Sequence, residues 1–330
     1  MQHRPLGSTK TTVSSIGLGC MGMSEFYGAT DDAKSHQTMA RALELGINFF
    51  DSADIYGFGH NETLIGQFLE AGGATRRAQV VLATKFGIVR AAGQYERRID
   101  NTPAYVQSAC EASLKRLGVE TIDLYYCHRR NPDVSVEDMV GAMARLVKAG
   151  KVKQLGLSEV SSTTLRKAHN VHPIAAVQSE YSLWAREPET HMLATCAELG
   201  TTFIAYSPLG RAFLTGALDK NNLAANDFRN MLPRFAASAQ AANQALVDAL
   251  SRFAANKGMT NAQVALAWLL CKHPHVVPIP GTRRINYLEQ NAAATDFVLS
   301  PADAEELDAL FPIDAATGGR YPKAGMVGIE

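Results

Sequence analysis

The stretch TPAYVQSACEASLKRLGVETIDLYYCH, residues 102–128, contains one complete helix-to-strand unit. Thr102 is a suitable N-cap, Pro103 suits the first helical position, and Gly118 suits a C-terminal stop. Between these signals, apolar or small residues recur on one helical face: Val106, Ala109, Cys110, Ser113, Leu114 and Leu117. The run at 122–128 is apolar almost throughout, as strands buried on both faces are. The stretch therefore predicts a helix packed against a strand of a parallel sheet.

The same alternation of β-rich runs and helical patterns recurs along the chain. The other runs are SIGLGC (15–20), INFFDS (47–52), VVLATK (80–85), VKQLGLS (152–158), IAAVQSE (174–180), TFIAYS (202–207) and VVPIP (276–280). Strands that alternate with helices in this number predict a (β/α)8 TIM barrel, with an open doubly wound sheet as the structural alternative. We expect a short N-terminal β-hairpin before the first barrel strand and an extra C-terminal helix that begins at SPADAEEL, residues 300–307. No linker interrupts the pattern, so residues 1–330 are predicted to form a single domain.

Composition narrows the functional classes. The chain has 330 residues, of which 46% are hydrophobic, and its 32 basic residues balance 32 acidic ones. This balance does not favour a nucleic-acid partner or an anionic membrane surface, and no apolar run approaches the roughly 20 residues of a membrane span. Five scattered cysteines without a CxxC pattern indicate a reduced, cytoplasmic protein. The histidines show no HxxxH or HExxH pattern, so no metal site is predicted, and the sequence carries no indication of oligomeric state.

The segment GLGCMG, residues 17–22, matches the G-x-G-x-x-G pattern of a Rossmann dinucleotide site. Such a site needs a helix to open directly after the glycines, so that its N-terminus meets the pyrophosphate. Here the loop-like SEFYGATDD follows instead. We therefore expect the glycines to relieve crowding where the first strand meets the barrel mouth.

Ionisable side chains interrupt the apolar runs near three strand ends. Asp51 is near the end of the second run, Lys85 ends the third and His128 ends the fourth, while Tyr56 lies in the loop after the second. Each one alone is typical of a solvated cap or a packing residue. In a barrel, however, the four would meet at the C-terminal rim, where such folds have their active sites.

These four groups suit a proton transfer to oxygen. A free tyrosine, with a pKa of about 10, is a poor acid at neutral pH, but a nearby ammonium group favours the phenolate and lowers that pKa. Asp51 would keep Lys85 charged, Tyr56 would protonate an oxygen, and His128 would hydrogen-bond the same oxygen. The set has no electron source and therefore suits carbonyl reduction by a bound hydride donor.

The sequence resembles the aldo-keto reductase superfamily over nearly its whole length. The segments that carry the resemblance include LGCMGMSEFYG (18–28), FFDSADIYGFGHNE (49–62), ATKFG (83–87), IDLYYCHR (122–129), GKVKQLGLSEVS (150–161), AAVQSEYSLWAREPE (175–189), AYSPLGRAFLTG (205–216) and PIPGTRRINYLEQNAAA (278–294). The resemblance implies an NAD(P)H-dependent reductase of aldehydes or ketones, with Asp51, Tyr56 and Lys85 joined by His128 as its catalytic tetrad.

The resemblance also implies a set of cofactor-binding residues. They are Ser158 and Gln178 at the nicotinamide carboxamide, Tyr206 on the nicotinamide ring, Ser207, Leu209, Gly210 and Arg211 along the pyrophosphate, Gly281, Thr282 and Arg283 at the adenosine 2′-phosphate, and Gln290 and Asn291 at the adenine. The Gly-Thr-Arg segment supplies amides, a hydroxyl and a guanidinium fork for a phosphate, which favours NADP(H) over NAD(H). Glu159 stands where many members have Asn, and Asn61 is expected to cap the helix after Tyr56.

Three functional alternatives follow. The first is a reductase whose substrate pocket is formed by Met21, Phe26, Phe86 and Trp184, a rim that favours medium aldehydes or ketones over highly charged sugars. The second is a cofactor-binding regulatory subunit of the same fold with little turnover. The third, a short-chain Rossmann dehydrogenase, requires Tyr and Lys four residues apart, and no tyrosine of this chain meets that requirement.

Overall fold

The computed structural model describes residues 1–91, 94, 96–219 and 222–330. Its centre is an eight-stranded parallel sheet that curls into a (β/α)8 barrel. The barrel strands are β3 (Leu18–Gly19), β4 (Phe49–Asp51), β5 (Val81–Phe86), β8 (Ile122–Cys127), β9 (Val152–Ser158), β10 (Ile174–Glu180), β11 (Thr202–Tyr206) and β12 (Val276–Pro278). They pair in chain order, and a parallel bridge between Gly19 and Gly281 joins the first strand to the segment after the last. The barrel prediction is confirmed.

Helices surround the sheet. The helices are α1 (Asp32–Glu44), α2 (His60–Gln79), α3 (Pro103–Leu117), α4 (Val136–Lys148), α5 (Ser162–Val171), α6 (Met192–Leu199), α7 (Ala237–Asn256), α8 (Asn261–Lys272), α9 (Ile285–Ala293) and α10 (Pro301–Leu310). The predicted C-terminal helix is α10, which begins with a capping box between Ser300 and Asp303. Among the described residues, no helix combines the length and apolar composition that a membrane crossing requires.

Alternate residues of the strands fill two separate apolar layers. Phe49, Ala83, Leu124 and Val277 point into the barrel and form one buried cluster, while their sequence neighbours pack outward against the helices. Both faces of the strands are therefore buried, which is the physical reason that these runs are apolar almost throughout.

The N-terminal hairpin covers the end of the barrel opposite the catalytic rim. Strand β1 (His3–Pro5) pairs antiparallel with β2 (Thr12–Ser14), and Leu6 and Val13 join the interior apolar cluster. Arg4 donates hydrogen bonds to the carbonyl oxygens of Leu270 and His273. The predicted hairpin is confirmed. A second small antiparallel pair, β6 (Ile88–Val89) with β7 (Arg98–Ile99), lies beyond β5 and was not expected.

The glycines of the GLGCMG segment serve close packing at the barrel seam. A Cβ at Gly17 would lie 2.7 Å from the Phe49 ring, and one at Gly19 would lie 2.8 Å from the carbonyl oxygen of Ile279. Met21–Met23 form only one 3₁₀ turn, and α1 starts at Asp32. The structure therefore has no Rossmann turn here, and the glycines relieve crowding as expected.

Candidate active site

The four predicted catalytic side chains meet at the C-terminal rim of adjacent strands. Asp51 ends β4, Lys85 lies one residue before the end of β5, and His128 follows β8 directly. Tyr56 begins the 3₁₀ turn after β4, and its ring meets the His128 ring edge to face with 5.8 Å between centroids. The rim of parallel strands thus brings together residues that are up to 77 positions apart, from Asp51 to His128.

Lys85 is the centre of this group. Its side chain is fully buried and forms a salt bridge with Asp51. The ammonium also donates to the carbonyl oxygen of Ser52 at 2.7 Å and to the Tyr56 hydroxyl at 3.4 Å. Burial alone would lower the pKa of Lys85, but attraction to Asp51 and Tyr56 leaves that pKa above its ordinary value. Lys85 is therefore a permanent cation against the Tyr56 oxygen.

The electrostatics of Tyr56 differ from the sequence expectation. Burial raises the pKa of Tyr56, and the positive charge of Lys85 lowers it without outweighing burial. Tyr56 is therefore a neutral phenol at physiological pH rather than a group already shifted toward the phenolate. Burial also lowers the pKa of His128 far below its ordinary value, with help from the positive charges of Arg129 and Lys85. The neutral phenol and the neutral imidazole are both hydrogen-bond donors to an oxygen.

Asn61 holds the Tyr56 loop in a way that the sequence did not predict. Helix α2 starts at His60 with Gly59 at the N-cap, so Asn61 is not the cap. Its side chain is buried, accepts from the Ser52 hydroxyl at 2.7 Å and donates to the carbonyl oxygen of Cys20 at 2.8 Å. The expected cap is corrected: Asn61 ties the loop to the first strand.

A cavity of about 350 Å³ opens above these residues. Its wall runs from Asp51, Tyr56 and His128 to the segment at 281–284. It includes Met21 and Phe26 of the predicted substrate rim. The predicted catalytic residues and the Gly-Thr-Arg segment therefore border the same cavity.

Three predicted nicotinamide contacts lie at the catalytic end of the cavity. The Ser158 hydroxyl accepts from Arg129, and the Gln178 amide donates to Asp51 at 2.8 Å. Tyr206 ends β11, and its hydroxyl lies 2.9 Å from that of Tyr321. All three predicted residues line the cavity.

The predicted pyrophosphate loop has an unusual backbone. Ser207, Gly210 and Arg211 have positive φ angles of 49°, 56° and 57°. A Cβ at Gly210 would lie 2.6 Å from the Trp184 ring. Both this close contact and the positive φ angle therefore favour glycine at this position. Ser207, Leu209 and Arg211 line the cavity, whereas Gly210 packs behind it against Trp184.

The predicted 2′-phosphate segment follows the barrel seam. Gly281, Thr282 and Arg283 line the cavity together with Arg284. The Arg283 guanidinium donates to the carbonyl oxygens of Ala29 and Tyr27, and thereby ties this segment to the loop after β3. Gln290 and Asn291 follow on α9, outside the described cavity wall.

Two residues of the predicted substrate rim lie elsewhere. Phe86 is fully buried and stacks on Tyr125, on the face of the sheet that packs against the helices. Trp184 is buried against Phe213 and Gly210. The assignment of Phe86 and Trp184 to the pocket is therefore corrected, because both rings are used in packing. The described wall instead carries Tyr321 and five arginines that the sequence analysis did not assign: Arg90, Arg97, Arg129, Arg229 and Arg284.

A C-terminal segment borders the same cavity. The Tyr321 hydroxyl accepts from Arg211 at 2.7 Å and contacts Tyr206. Arg320 donates to both carboxylate oxygens of Glu159, at 3.2 Å each. Glu159 has a φ of +56°, a conformation that Asn adopts more readily, so the departure from the usual Asn accompanies this ion pair. No sequence signal connects Tyr321 with Tyr206, which lies 115 residues earlier.

Known proteins resemble this chain in sequence and in fold. Residues 15–311 match the Aldo/keto reductase family. The chain is 40% identical over 315 residues to "Aldo-keto reductase yakc", marked NADP(+), of Schizosaccharomyces pombe, a match that covers 94% of this chain and 92% of that protein. A glycerol dehydrogenase of Gluconobacter oxydans superimposes with a TM-score of 0.84 at 26% identity, covering 93% of this chain and 94% of that one. An aldo-keto reductase of Bacillus halodurans in its holo form gives a TM-score of 0.76 at 25% identity, covering 98% and 99%.

Proposed function

The chain belongs to the aldo/keto reductase family, a family of oxidoreductases, and from this premise we propose that it reduces aldehydes or ketones to alcohols with NADPH, within EC 1.1.1.-. One observation carries the proposal most strongly. The buried ion pair of Lys85 and Asp51 contacts the Tyr56 hydroxyl, with His128 beside it, and the cavity that these residues border also reaches Gly281, Thr282 and Arg283.

In the proposed mechanism, NADPH held in this cavity would supply, from its nicotinamide C4, the hydride that reduces the carbonyl carbon. His128, neutral at physiological pH, donates a hydrogen bond that orients the carbonyl oxygen. Tyr56 gives its hydroxyl proton to that oxygen as negative charge develops there, so the carbonyl becomes an alcohol and Tyr56 becomes a phenolate. The Lys85 ammonium stabilises this phenolate, which then regains a proton from solvent. Asp51 keeps Lys85 charged and in place.

The cofactor assignments belong to the same proposal. Ser158 and Gln178 have amide-binding groups at the catalytic end, and Tyr206 offers a ring for stacking. The backbone amides after Ser207, with Arg211, suit the pyrophosphate, and the Gly281–Arg283 segment suits the 2′-phosphate. Gln290 and Asn291 are proposed for the adenine. The preference for NADP(H) over NAD(H) rests on Arg283 and on the NADP(+) marking of the Schizosaccharomyces pombe relative.

The central test is Tyr56→Phe. We expect this variant to lose nearly all NADPH-dependent reduction of benzaldehyde while its dissociation constant for NADPH, measured by fluorescence quenching, stays within about twofold, because only one hydroxyl is removed. Tyr105→Phe is the matched control, since Tyr105 is half-buried on α3 away from the cavity, and it should retain activity. Undiminished reduction by Tyr56→Phe would refute the mechanism.

The same assay separates the alternative function. A regulatory subunit would retain NADPH tightly but turn over a panel of aldehydes, including pyridoxal, methylglyoxal and aromatic aldehydes, only marginally. A small-molecule carbonyl compound is the proposed partner. The cytoplasmic location and the lack of nucleic-acid and membrane partners stay predictions from the sequence.

A further inference from the structure

Arg129 is a buried cation that forms no salt bridge among the described residues. Burial opposes its charge, and attraction to Tyr206 and Glu159 nevertheless leaves its pKa above the ordinary value. Its side chain is 4% exposed, although it borders the cavity. Nη1 donates to the carbonyl oxygen of His128 at 2.8 Å and to the Ser158 hydroxyl at 3.2 Å, both neutral acceptors. Nε is buried and has no hydrogen-bond partner in the described part of the chain. Buried charges are normally paired, so Arg129 at this cavity wall has the chemistry of an anion-binding residue.

The described cavity wall carries more arginines than acidic residues, although Arg90, Arg211 and Arg229 are already matched by Glu25, Glu180 and Asp227 outside it. It includes Asp51 as its one acidic residue, and that carboxylate is already matched by Lys85. The arginines of this wall are Arg90, Arg97, Arg129, Arg211, Arg229, Arg283 and Arg284. Part of this positive charge suits the phosphates of a dinucleotide. Some of the arginines, however, lie at the catalytic end of the cavity.

Contacts divide these arginines into two groups. Arg211, Arg229 and Arg283 all contact Tyr27, and Arg284 adjoins Arg283, so this group lies toward the 281–284 segment. Arg90 is matched by a salt bridge to Glu25.

Arg97 and Arg129 form the second group, at the catalytic end. Both lie close enough to His128 for their charges to lower its pKa. The C-terminal segment packs on both: Arg97 donates to the carbonyl oxygen of Gly325 at 2.6 Å, and a Cβ at Gly328 would lie 3.0 Å from the Arg129 Cβ. Two guanidinium groups therefore border the space where the carbonyl group would sit.

We propose that the preferred substrate is a carbonyl compound that also carries a carboxylate, which Arg129 and Arg97 bind while the carbonyl oxygen faces Tyr56 and His128. This inference rests on the proposed reductase function. A carboxylate matches the fork of a guanidinium group, and Arg129 lines the cavity. The neighbouring Ile55 and Ile88 suit a hydrocarbon portion. The earlier expectation of uncharged aldehydes rested on Phe86 and Trp184, which do not form this wall.

A merely structural Arg129 would behave differently. If Arg129 only held Ser158 in place or kept His128 neutral, its loss would slow the reduction of charged and neutral substrates alike. An anion-binding Arg129 affects the charged substrate selectively and acts mainly through KM. The ratio of kcat/KM values for a carboxylate and its ester therefore separates the two roles.

The experiment compares the three isomers of carboxybenzaldehyde with their methyl esters as substrates of the NADPH-dependent reaction. The wild type should prefer at least one acid over its ester by about tenfold or more, and the preferred isomer reports where the carboxylate lies relative to the carbonyl group. Arg129→Met should lower kcat/KM for that acid by roughly 10- to 100-fold, and for the ester by less than about threefold. Arg97→Met is a second, independent variant with the same expected direction.

Arg90→Met is the matched control, because Glu25 already neutralises Arg90, and it should leave the acid-to-ester ratio unchanged. Equal losses for acid and ester in both Arg129→Met and Arg97→Met would overturn the proposal, as would a wild type that prefers no acid. The wild-type comparison stands even where a variant fails to fold. If esters are reduced but no acid is preferred, only the carboxylate proposal fails; if neither is reduced, the reductase function fails with it.

Discussion

The buried pair of Lys85 and Asp51 predicts a strong dependence of each residue on the other. Lys85→Met would leave the Asp51 carboxylate buried, with the Gln178 amide at 2.8 Å as its remaining side-chain hydrogen-bond partner among the described residues. Removing one member of a buried pair costs roughly 3–5 kcal/mol of unfolding free energy. At about 2 °C per kcal/mol for a protein of this size, the melting temperature should fall by roughly 6–10 °C. Asp51→Asn should cost a similar amount, because it leaves the ammonium without its carboxylate.

The double variant Lys85→Met/Asp51→Asn should recover most of this stability. No buried charge is left in the pair, and the principal remaining loss is the hydrogen bond that the Ser52 carbonyl oxygen accepts from Lys85, worth about 1 kcal/mol. Thermal melting of the wild type, both single variants and the double variant completes a cycle whose interaction energy is the measured quantity. Activity should not recover with stability, because the double variant still lacks the cation beside Tyr56; a loss of about 10²- to 10⁴-fold is expected.

Two results would refute this reasoning. Additive losses of melting temperature would mean that the two charges do not compensate each other. Recovery of reductase activity in the double variant, measured as NADPH oxidation with benzaldehyde, would mean that Lys85 serves only to neutralise Asp51.

The remaining predictions concern the cofactor, the pH dependence and the barrel seam. Arg283→Ala should raise the dissociation constant for NADPH by roughly 10- to 100-fold and that for NADH little, and a larger effect from Arg284→Ala in fluorescence titrations would move the phosphate assignment to Arg284. Burial lowers the pKa of His128 and raises that of Tyr56, so kcat/KM for reduction should show no step near pH 6.5 and should fall only above about pH 10. A step near neutral pH in the profile of kcat/KM against pH would contradict these protonation states. Gly19→Ala would bring a Cβ within 2.8 Å of the Ile279 carbonyl oxygen and should cost about 1–3 kcal/mol in thermal melting. Gly141→Ala in α4 is its control: the added Cβ would lie 4.0 Å from the Arg145 guanidinium, an ordinary contact, so this variant should be neutral or stabilising.

The barrel could be predicted because each of its strands leaves a local trace. A strand buried on both faces has to be apolar, so Asp51, Lys85 and His128 stood out where they ended such runs. The residues at the rim could be predicted as one site because parallel strands bring their C-terminal ends together.

What could not be predicted depends on contacts without a local pattern. Phe86 and Lys85 are neighbours in the chain, yet Phe86 points outward to Tyr125 and Lys85 points inward to Asp51. An apolar run does not indicate which of its alternate residues face the barrel interior and which face the helices. Tyr321 reaches Tyr206 only through the path of the C-terminal segment. The pKa of Tyr56 was misjudged because the sequence shows the cation nearby but not the depth of burial that opposes it.

The bridge between Gly19 and Gly281 also bears on how the chain folds. It joins positions that are 262 residues apart, which makes it one of the least local contacts in the molecule. Because such contacts form slowly, we expect the barrel to close late in folding. Until then β3 and β12 each present an unpaired strand edge, the kind of surface through which folding intermediates aggregate. Arg283 lies directly beyond this seam and ties it to Tyr27. A dinucleotide held there would bind only the closed form, and would therefore shift the equilibrium away from the aggregation-prone open barrel in proportion to its concentration.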